Sequence, residues 1–287
     1  VSAFTYCELE FISLQTLKNR FMKQLKLMVL TLTLLMGTMF TSCMDSGESG
    51  PQQWAGVVKV NDRMGYVTFT DAAGTELIPT NTIPVTLNAR MAYIYCQVDE
   101  GQDLSTNPKS IKITLLADPT GIDATAITTP KVESSDVTTN APVGSLSFAS
   151  GYSTVAPFQF SENTIVLPVL YRVKNVTTTE DIKNELAKHT FTLVCYTDDI
   201  KSGDTILKLY LRYKVEDEPA AIAERATRTS SFKAYEISQI LREYTLKSGQ
   251  TKPAKITIVA QQNEYNNKLE DTSTIEKVYE IEYKTAE

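Results

Sequence analysis

The sequence predicts an all-β protein in which a small N-terminal barrel of the OB type is followed by a C-terminal β-sandwich with one or two short helices. Three observations support this fold class. Short runs of β-branched and aromatic residues alternate with turn signals along most of the chain. Many of these runs alternate apolar and polar residues, which is the period of a half-buried strand. Helix start and stop signals occur in only two segments.

The N-terminal region predicts export. We interpret residues 1–21 as an upstream segment translated in error, because the methionine that follows them is a better start. Residues 22–42 contain a basic stretch with Lys23 and Lys26, an apolar run and an end of small residues, as a secretory signal peptide does. Cys43 stands at the cleavage point, which is typical of a bacterial lipoprotein. The mature chain is therefore predicted to begin at a lipidated Cys43.

The alternative for this region is an uncleaved membrane anchor. A spanning helix needs about 20 predominantly apolar residues, whereas threonine, serine and glycine interrupt this run. We therefore favour the lipoprotein signal. A lipid on Cys43 would attach the protein to the outer membrane, facing the periplasm or the cell surface. Residues 43–53 are rich in Gly, Ser and acid and predict a flexible tether.

The charge of the chain argues against nucleic acid as a partner. The full sequence has a net charge of −6, and removal of residues 1–42 leaves 24 basic against 32 acidic residues, a net charge of −8. An acidic chain without a cluster of Lys and Arg lacks the electrostatic footprint that a phosphate backbone requires.

Residues 54–118 predict the barrel. Five strands are expected, at Trp54–Val60, Tyr66–Thr70, Glu76–Pro79, Arg90–Asp99 and Ser110–Ala117, with a turn at Asn61–Asp62 after the first. In the fourth strand, the even-numbered residues from Ala92 to Val98 should face one way and Met91, Tyr93 and Tyr95 the other. Five strands in about 65 residues suit a Greek-key barrel of the OB type.

Residues 119–287 predict a two-sheet sandwich with Greek-key links. Strands are expected at Thr164–Val173, in a hairpin from Thr190 to Lys214, at Phe232–Ile237, and around Ile256–Ala260 and Tyr279–Tyr283. Two helices are expected: Thr178–Lys188 with Thr178 as its cap, and Ser238–Lys247 with Ser238 as its cap and a stop at Gly249. The charged segment Glu216–Arg228 is expected to be a loosely ordered excursion.

Met91, Tyr93 and Tyr95 are the candidate ligand-binding residues. OB barrels bind ligands on a strand face, and aromatic rings spaced two residues apart can stack on sugars. In the alternative interpretation, which we favour, the tyrosines pack on the second domain or cap the barrel.

Catalytic and metal-binding patterns are scarce. His189 is the only histidine, which leaves at most one imidazole for a catalytic triad, and its place after a helix C-terminus favours a structural role. Asp198, Asp199 and Asp204 do not match an EF-hand and suit a hairpin turn. We expect no metal, no cofactor and no enzymatic activity, although a carboxylate-dependent hydrolase stays as a less favoured alternative.

Several segments together resemble the NigD-like lipoproteins of Bacteroides and relatives. They are the signal ending in TSC, then QQWAGVVKV, MGYVTF, MAYIYCQV, TFTLVCYTDD, GDTILKLYLRY, YEISQIL and VYEIEYK, in this order. The resemblance runs from Met22 to the end of the chain. It implies an OB barrel followed by a β-sandwich and a role in bacteriocin immunity, with no catalytic residues to transfer. Glu216–Arg228 departs from the family pattern because it is longer and more charged.

Two further predictions concern single residues. Cys96 and Cys195 lie on alternating strand faces in different predicted domains, so two buried free thiols are favoured over a disulfide. The triplet Asp204-Thr205-Ile206 resembles the O-glycosylation signal of exported Bacteroidetes proteins, with Thr205 as the acceptor.

The sequence as a whole predicts a non-catalytic envelope lipoprotein. It would contact the membrane through its N-terminal lipid and bind a protein or peptide partner of the envelope. Oligosaccharide binding is the alternative.

Overall fold

The computed structural model describes residues 52–285, except 64–65, 82–86, 88, 106, 123, 127–136 and 151–152. The predicted upstream segment, the signal peptide, Cys43 and most of the tether lie outside the described residues. Within the described part, none of the helices has the length and apolar character needed to span a bilayer.

The N-terminal domain is a closed five-stranded barrel. Its strands are β1 (Gln53–Arg63), β2 (Tyr66–Thr70), β3 (Glu76–Pro79), β4 (Met91–Val98) and β5 (Ser110–Leu115). They pair in the order β1-β2-β3-β5-β4, and pairing of β4 with β1 closes the barrel. Only the β3–β5 pair is parallel. The OB-type barrel predicted from the sequence is confirmed.

The barrel core follows the alternation predicted for β4. Ala92, Ile94 and Cys96 are at most 1% exposed and pack against the inward residues of the neighbouring strands. Phe69 on β2 and Ile113 on β5 complete this apolar core. One face of each strand is buried because successive side chains of a strand point to opposite faces.

Two details of the barrel differ from the prediction. The turn predicted at Asn61–Asp62 is wrong, because β1 continues to Arg63, which pairs with Tyr66 on β2. Asn61 lies within β1, and its Nδ2 donates a hydrogen bond to Thr70 Oγ1 on β2 at 2.8 Å. The barrel sheet also extends beyond the predicted boundary at residue 118, since a sixth short strand, β6 (Thr120–Ile122), pairs with β4.

The C-terminal domain is a sandwich of two four-stranded sheets. Its strands are β7 (Ala124–Ala126), β8 (Phe148–Ser150), β9 (Ser153–Val155), β10 (Phe158–Ser161), β11 (Thr164–Val173), β12 (His189–Val194), β13 (Ile206–Val215), β14 (Thr227–Glu236), β15 (Lys255–Gln262) and β16 (Ile275–Glu282). The first sheet has the order β10-β11-β14-β7 and the second sheet the order β12-β13-β15-β16, while β8 and β9 form a separate hairpin. Each sheet contains one parallel pair, β14–β7 in the first and β13–β15 in the second. The predicted Greek-key links alone would make all neighbouring strands antiparallel.

The inward faces of the two sheets form the main hydrophobic core. Ile165 and Leu167 of β11 face Leu207 and Leu209 of β13, and all four side chains are fully buried. Along β13, buried residues alternate with more exposed ones from Ile206 to Val215, whereas β12 ends on Leu193 and Val194, which are both buried.

Helices α1 (Thr179–Ala187) and α3 (Ser238–Ser248) match the two that were predicted. Thr178 caps α1 by accepting the Asp181 N–H at 3.1 Å, and α3 ends at Gly249, which has the left-handed φ of 75°. The predicted cap by Ser238 is wrong. Ser238 is the first helical residue, and its N–H donates to the Glu236 carboxylate at 3.1 Å.

The prediction of a loosely ordered Glu216–Arg228 segment is wrong. It contains a third helix, α2 (Pro219–Ala223), and leads into β14, which begins at Thr227 rather than near Phe232. Ile222 and Arg225 are buried. The side chains of Glu185 and Asp217 neutralise Arg225, so the charges in this segment hold it against the domain.

The two domains share a small interdomain core. Val57, Met91 and Ile122 of the barrel pack against residues of the first sheet, among them Val166 and Ala234. In this contact, residues of β4 and β6 lie against a residue of β14.

Candidate functional site

One edge of β14 is only partly paired. On its other edge, β14 pairs with β11 along its whole length. On this edge, β7 pairs with β14 only at Ala234–Glu236. Among the described residues, no strand pairs with this edge over residues 227–233. A strand edge without a neighbour presents backbone N–H and C=O groups that can pair with another chain.

The course of the chain between the domains explains this open edge. β6 is hydrogen-bonded to β4 of the barrel, whereas β7, which begins two residues after β6 ends, is hydrogen-bonded to β14 of the sandwich. The chain thus changes from one sheet to the other between Ile122 and Ala124. Before this change, β6 lies next to β14 without pairing to it, and a gap opens between them.

This gap is a cleft of about 400 Å³, which we call the interdomain cleft. The barrel contributes Tyr93 and β6, the first sheet contributes residues 230–233 of β14, and the second sheet contributes the start of β12. Its volume lies in the range of ligand pockets in proteins.

Aromatic and aliphatic groups shape the cleft walls. The rings of Tyr93 and Phe232 stack with centroids 5.4 Å apart and an interplanar angle of 11°. On the opposite side, the Lys233 ammonium lies 5.1 Å from the centroid of the Phe191 ring, within cation–π range. Burial raises the pKa of Tyr93 above its usual value.

The three predicted ligand-binding residues do not form one open face. Met91 is 4% exposed and belongs to the interdomain core. Tyr93 is half-buried against Phe232, and the Tyr95 hydroxyl donates to Gln53 Oε1 at 2.5 Å. Met91 and Tyr93 thus lie against the second domain, with Tyr93 at the wall of the cleft, whereas Tyr95 is bonded within the barrel.

Sequence reasoning missed the contributions of β12 and β14 to the site. The run from Thr227 to Lys233 is mostly polar and gives no strong strand signal. Its place beside Tyr93 follows from a tertiary contact between distant segments. The only local hint was Phe232, an aromatic residue with a lysine beside it after two serines.

His189 lies at the cleft but is engaged in structural contacts. Its Nδ1 is 2.6 Å from the Tyr213 hydroxyl, and its Nε2 is 3.3 Å from Glu185 Oε1. Burial lowers the pKa of His189, although Glu185 acts in the opposite sense. These contacts agree with the predicted structural role, and burial favours the neutral imidazole over the charged form that a helix end would favour.

Glu185 is the centre of a buried ionic network that lies behind His189. Arg225 donates from Nε to Glu185 Oε1 at 2.7 Å, and the Lys174 N–H donates to the same oxygen at 2.9 Å. Burial raises the pKa of Glu185, but the hydrogen bonds from Lys174, Arg225 and His189 outweigh it, and the net shift is downward. The network joins α1, β12 and the segment after α2.

The remaining predicted residues lie away from the cleft. Cys96 and Cys195 are free thiols in separate cores, and burial raises the pKa of each to about 12. Thr205 is exposed directly before β13, and its carbonyl accepts the Ala254 N–H at 2.8 Å. Cys43 lies outside the described residues.

The aspartates of the β12–β13 connection have separate partners. Asp198 lies 3.5 Å from Lys247 Nζ, Asp199 accepts from the Tyr210 hydroxyl at 2.9 Å, and Asp204 accepts the Lys201 N–H at 2.7 Å. Across the part of the chain that the structure describes, no three His, Cys, Asp or Glu side chains are grouped as metal ligands.

Comparison with solved structures places the chain among proteins of Bacteroides. A protein described as a candidate lipoprotein from Bacteroides fragilis is 96% identical, with a TM-score of 0.76, and the similarity covers 82% of this chain and 100% of that one. A protein of unknown function, DUF1344, from Bacteroides vulgatus is 12% identical, with a TM-score of 0.50 over 81% of this chain and 92% of that one. This second likeness concerns the fold alone.

A third solved structure, a NigD-like immunity protein from Bacteroides caccae, is 10% identical with a TM-score of 0.45, over 81% of this chain and 94% of that one. No protein-family model matches the sequence, and no curated protein is similar to it.

Proposed function

This chain belongs to a Bacteroides lipoprotein family, the NigD-like family of the sequence resemblance, and on that premise we propose that it binds an extended peptide segment of a protein partner in the interdomain cleft. Membership in this family associates the protein with the cell envelope. We further propose that a lipid on Cys43 holds it at the outer membrane and that the tether lets the two domains reach a partner there.

The open edge of β14 is the observation that carries this proposal. An extended peptide can add a strand to an exposed sheet edge, with main-chain hydrogen bonds giving affinity and side-chain pockets giving specificity. β14 pairs on one side with β11 along its whole length, so its edge is held rigid, and a peptide that pairs with it needs little rearrangement of the protein.

The cleft walls suit alternate side chains of such a strand. The stacked rings of Tyr93 and Phe232 offer an apolar surface on one side of the edge, and Phe191 lies on the other. Rigid aromatic side chains are common anchors of binding sites because they supply contact area at a low entropic cost. We therefore expect the partner segment to carry an aromatic or large aliphatic residue.

The proposal is for binding without catalysis. His189 uses both ring nitrogens in buried contacts, and none of the described residues that line the cleft is an aspartate or a glutamate. A carboxylate-dependent hydrolase needs two carboxyl groups on either side of the bond that it cleaves. The lining of this cleft supports a binding role better than that chemistry.

Site-specific photo-crosslinking in intact cells tests the site. A photo-reactive amino acid replaces Thr190, which is exposed at the cleft, or Thr245, which is exposed on α3. We expect a crosslink to one defined peptide segment from position 190 and none from position 245. A synthetic peptide of that segment should bind the protein at least tenfold more weakly after Thr190→Trp, which fills the cleft, and equally after Thr245→Trp.

Two results would overturn the proposal. One is equal crosslinking from both positions. The other is unchanged binding of the peptide by the Thr190→Trp variant when circular dichroism shows that it is folded. A glycan array with Tyr93→Ala and Tyr95→Ala variants addresses the oligosaccharide alternative, which gains support only if binding to a glycan is lost in these variants.

A further inference from the structure

Two arginines meet at one backbone oxygen in the sandwich. Arg172 on β11 and Arg228 on β14 are directly opposite in the antiparallel pair. Arg172 donates from Nη2 to the carbonyl oxygen of Glu264 at 2.5 Å, and Arg228 donates from Nη2 to the same oxygen at 2.7 Å. Two positive groups are thus brought together, although like charges opposite each other destabilise a strand pair.

No carboxylate of the described residues forms an ion pair with either arginine. The carboxylate of Glu264 itself accepts from Gln262 Nε2 at 3.0 Å. Burial lowers the pKa of Arg172, and the charge of Arg228 lowers it further. A carbonyl oxygen carries only a partial negative charge, so it does not neutralise two guanidinium groups.

Arg225, the other arginine that is buried among the described residues, is paired with carboxylates. Its guanidinium contacts the carboxylates of Glu185 and Asp217, as a buried charge requires. Arg172 is 7% exposed, and its Nε–H has no hydrogen-bond partner. Arg225 and Arg172 are similarly buried, but only Arg225 is paired with carboxylates. The packing of the fold therefore does not explain the buried charge of Arg172.

We propose that Arg172 and Arg228 bind a small oxyanion of the carboxylate, phosphate or sulfate type. The planar guanidinium presents parallel N–H donors that match two oxygens of such an anion. The Nε–H of Arg172 is a buried donor of this kind, so the donors that an anion meets first are those of Arg228. Arg228 is exposed, so the anion reaches the pair from its side. The site does not depend on the peptide-binding role of the cleft and goes beyond it.

Ligand-dependent thermal unfolding of the full chain tests the site. A ligand that binds only the folded state raises the unfolding temperature with its concentration. We compare sodium phosphate, sulfate and acetate with sodium chloride at equal ionic strength. The wild-type protein should show a saturable rise with at least one oxyanion. If acetate saturates the rise at the lowest concentration, the preferred ligand is a planar carboxylate. If phosphate or sulfate does so, the preferred ligand is a tetrahedral anion.

Matched variants separate binding from general salt effects. Arg228→Gln removes an exposed guanidinium of the pair and should abolish the saturable rise. Arg228→Lys keeps the positive charge but lacks the parallel N–H donors of the guanidinium. Its anion binding, measured by isothermal titration calorimetry, should be about tenfold weaker. Arg212→Gln, on the second sheet, should respond like the wild type. The same oxyanion response in Arg228→Gln and wild type, or no response above chloride in the wild type, would overturn the proposal.

Discussion

At the scale of single residues, the Glu185–Arg225 pair is the feature with the largest expected energetic effect. Both side chains are at most 5% exposed and lie 2.7 Å apart. A buried pair is weak evidence for net stabilisation, but loss of one partner leaves an uncompensated charge and costs about 3–5 kcal/mol. From the sequence, Glu185 is predicted only as part of a helix, because its partner Arg225 lies in a segment that was expected to be loosely ordered.

We predict that Arg225→Met lowers the free energy of unfolding by about 3–5 kcal/mol. Glu185→Met should cost less, because Arg225 keeps Asp217 as a carboxylate partner. Urea denaturation of both single variants and the double variant measures the coupling. The double variant should lose clearly less than the two single losses added together, and additive losses would contradict a direct pair.

The single histidine makes stability sensitive to pH. The pKa of His189 in the folded protein is lowered from 6.5 by burial. As pH falls below 6.5, the unfolded chain takes up a proton that the folded protein still resists, so stability is lost on the acid side and is fully present above that pH. The lowered pKa of Glu185 acts in the same direction, at pH values below its ordinary 4.5.

We therefore predict that the free energy of unfolding falls between pH 7 and pH 5, and that His189→Asn removes most of this slope. No other histidine exists in the chain to produce a change in this range. Urea denaturation at several pH values gives the slope directly. The variant will be less stable at every pH through lost contacts, so the slope is the quantity that decides, and an unchanged slope would refute the role of His189.

At the scale of elements, local sequence signals were informative where burial and turn chemistry acted together. β4 buries its even-numbered residues in the barrel core, and β13 alternates buried and more exposed residues beside the sandwich core. The five-residue helix α2 could not be recognised, because helices of this length depend on tertiary contacts rather than on propensity. The polar start of β14 is a strand because it pairs with β11, a contact that no local pattern records.

Gly249 ends α3, and its replacement should have a measurable energetic cost. Its φ is +75°, and a Cβ built there has no heavy atom within 4 Å. Replacement by alanine therefore causes no clash, and its cost is backbone strain of about 1–2 kcal/mol. We predict this loss for Gly249→Ala in thermal or urea unfolding. Gly249→Asn should lose less, since asparagine tolerates the left-handed region, and equal stability of all three proteins would contradict the argument.

At the scale of the whole molecule, the candidate site is a product of domain contact. Tyr93 could be singled out from its spacing in β4, but the cleft beside it also needs β12 and β14, which lie far along the sequence. The interdomain core, which includes Met91 of the barrel and Val166 of the first sheet, holds the two domains together beside the cleft. A period-two pattern can identify an aromatic face, but it does not tell what covers that face.

The predicted lipid on Cys43 decides how this arrangement is presented in the cell. If the signal is cleaved before Cys43 and the thiol is acylated, the uncharged apolar run is removed with the signal and the lipid attaches the protein to the membrane. We predict that Cys43→Ala moves the protein from the membrane fraction to the soluble fraction of fractionated cells. A variant with Ser46→Ala, in the tether, should stay with the membrane. Equal membrane retention of Cys43→Ala would instead indicate that residues 22–42 remain as an uncleaved anchor.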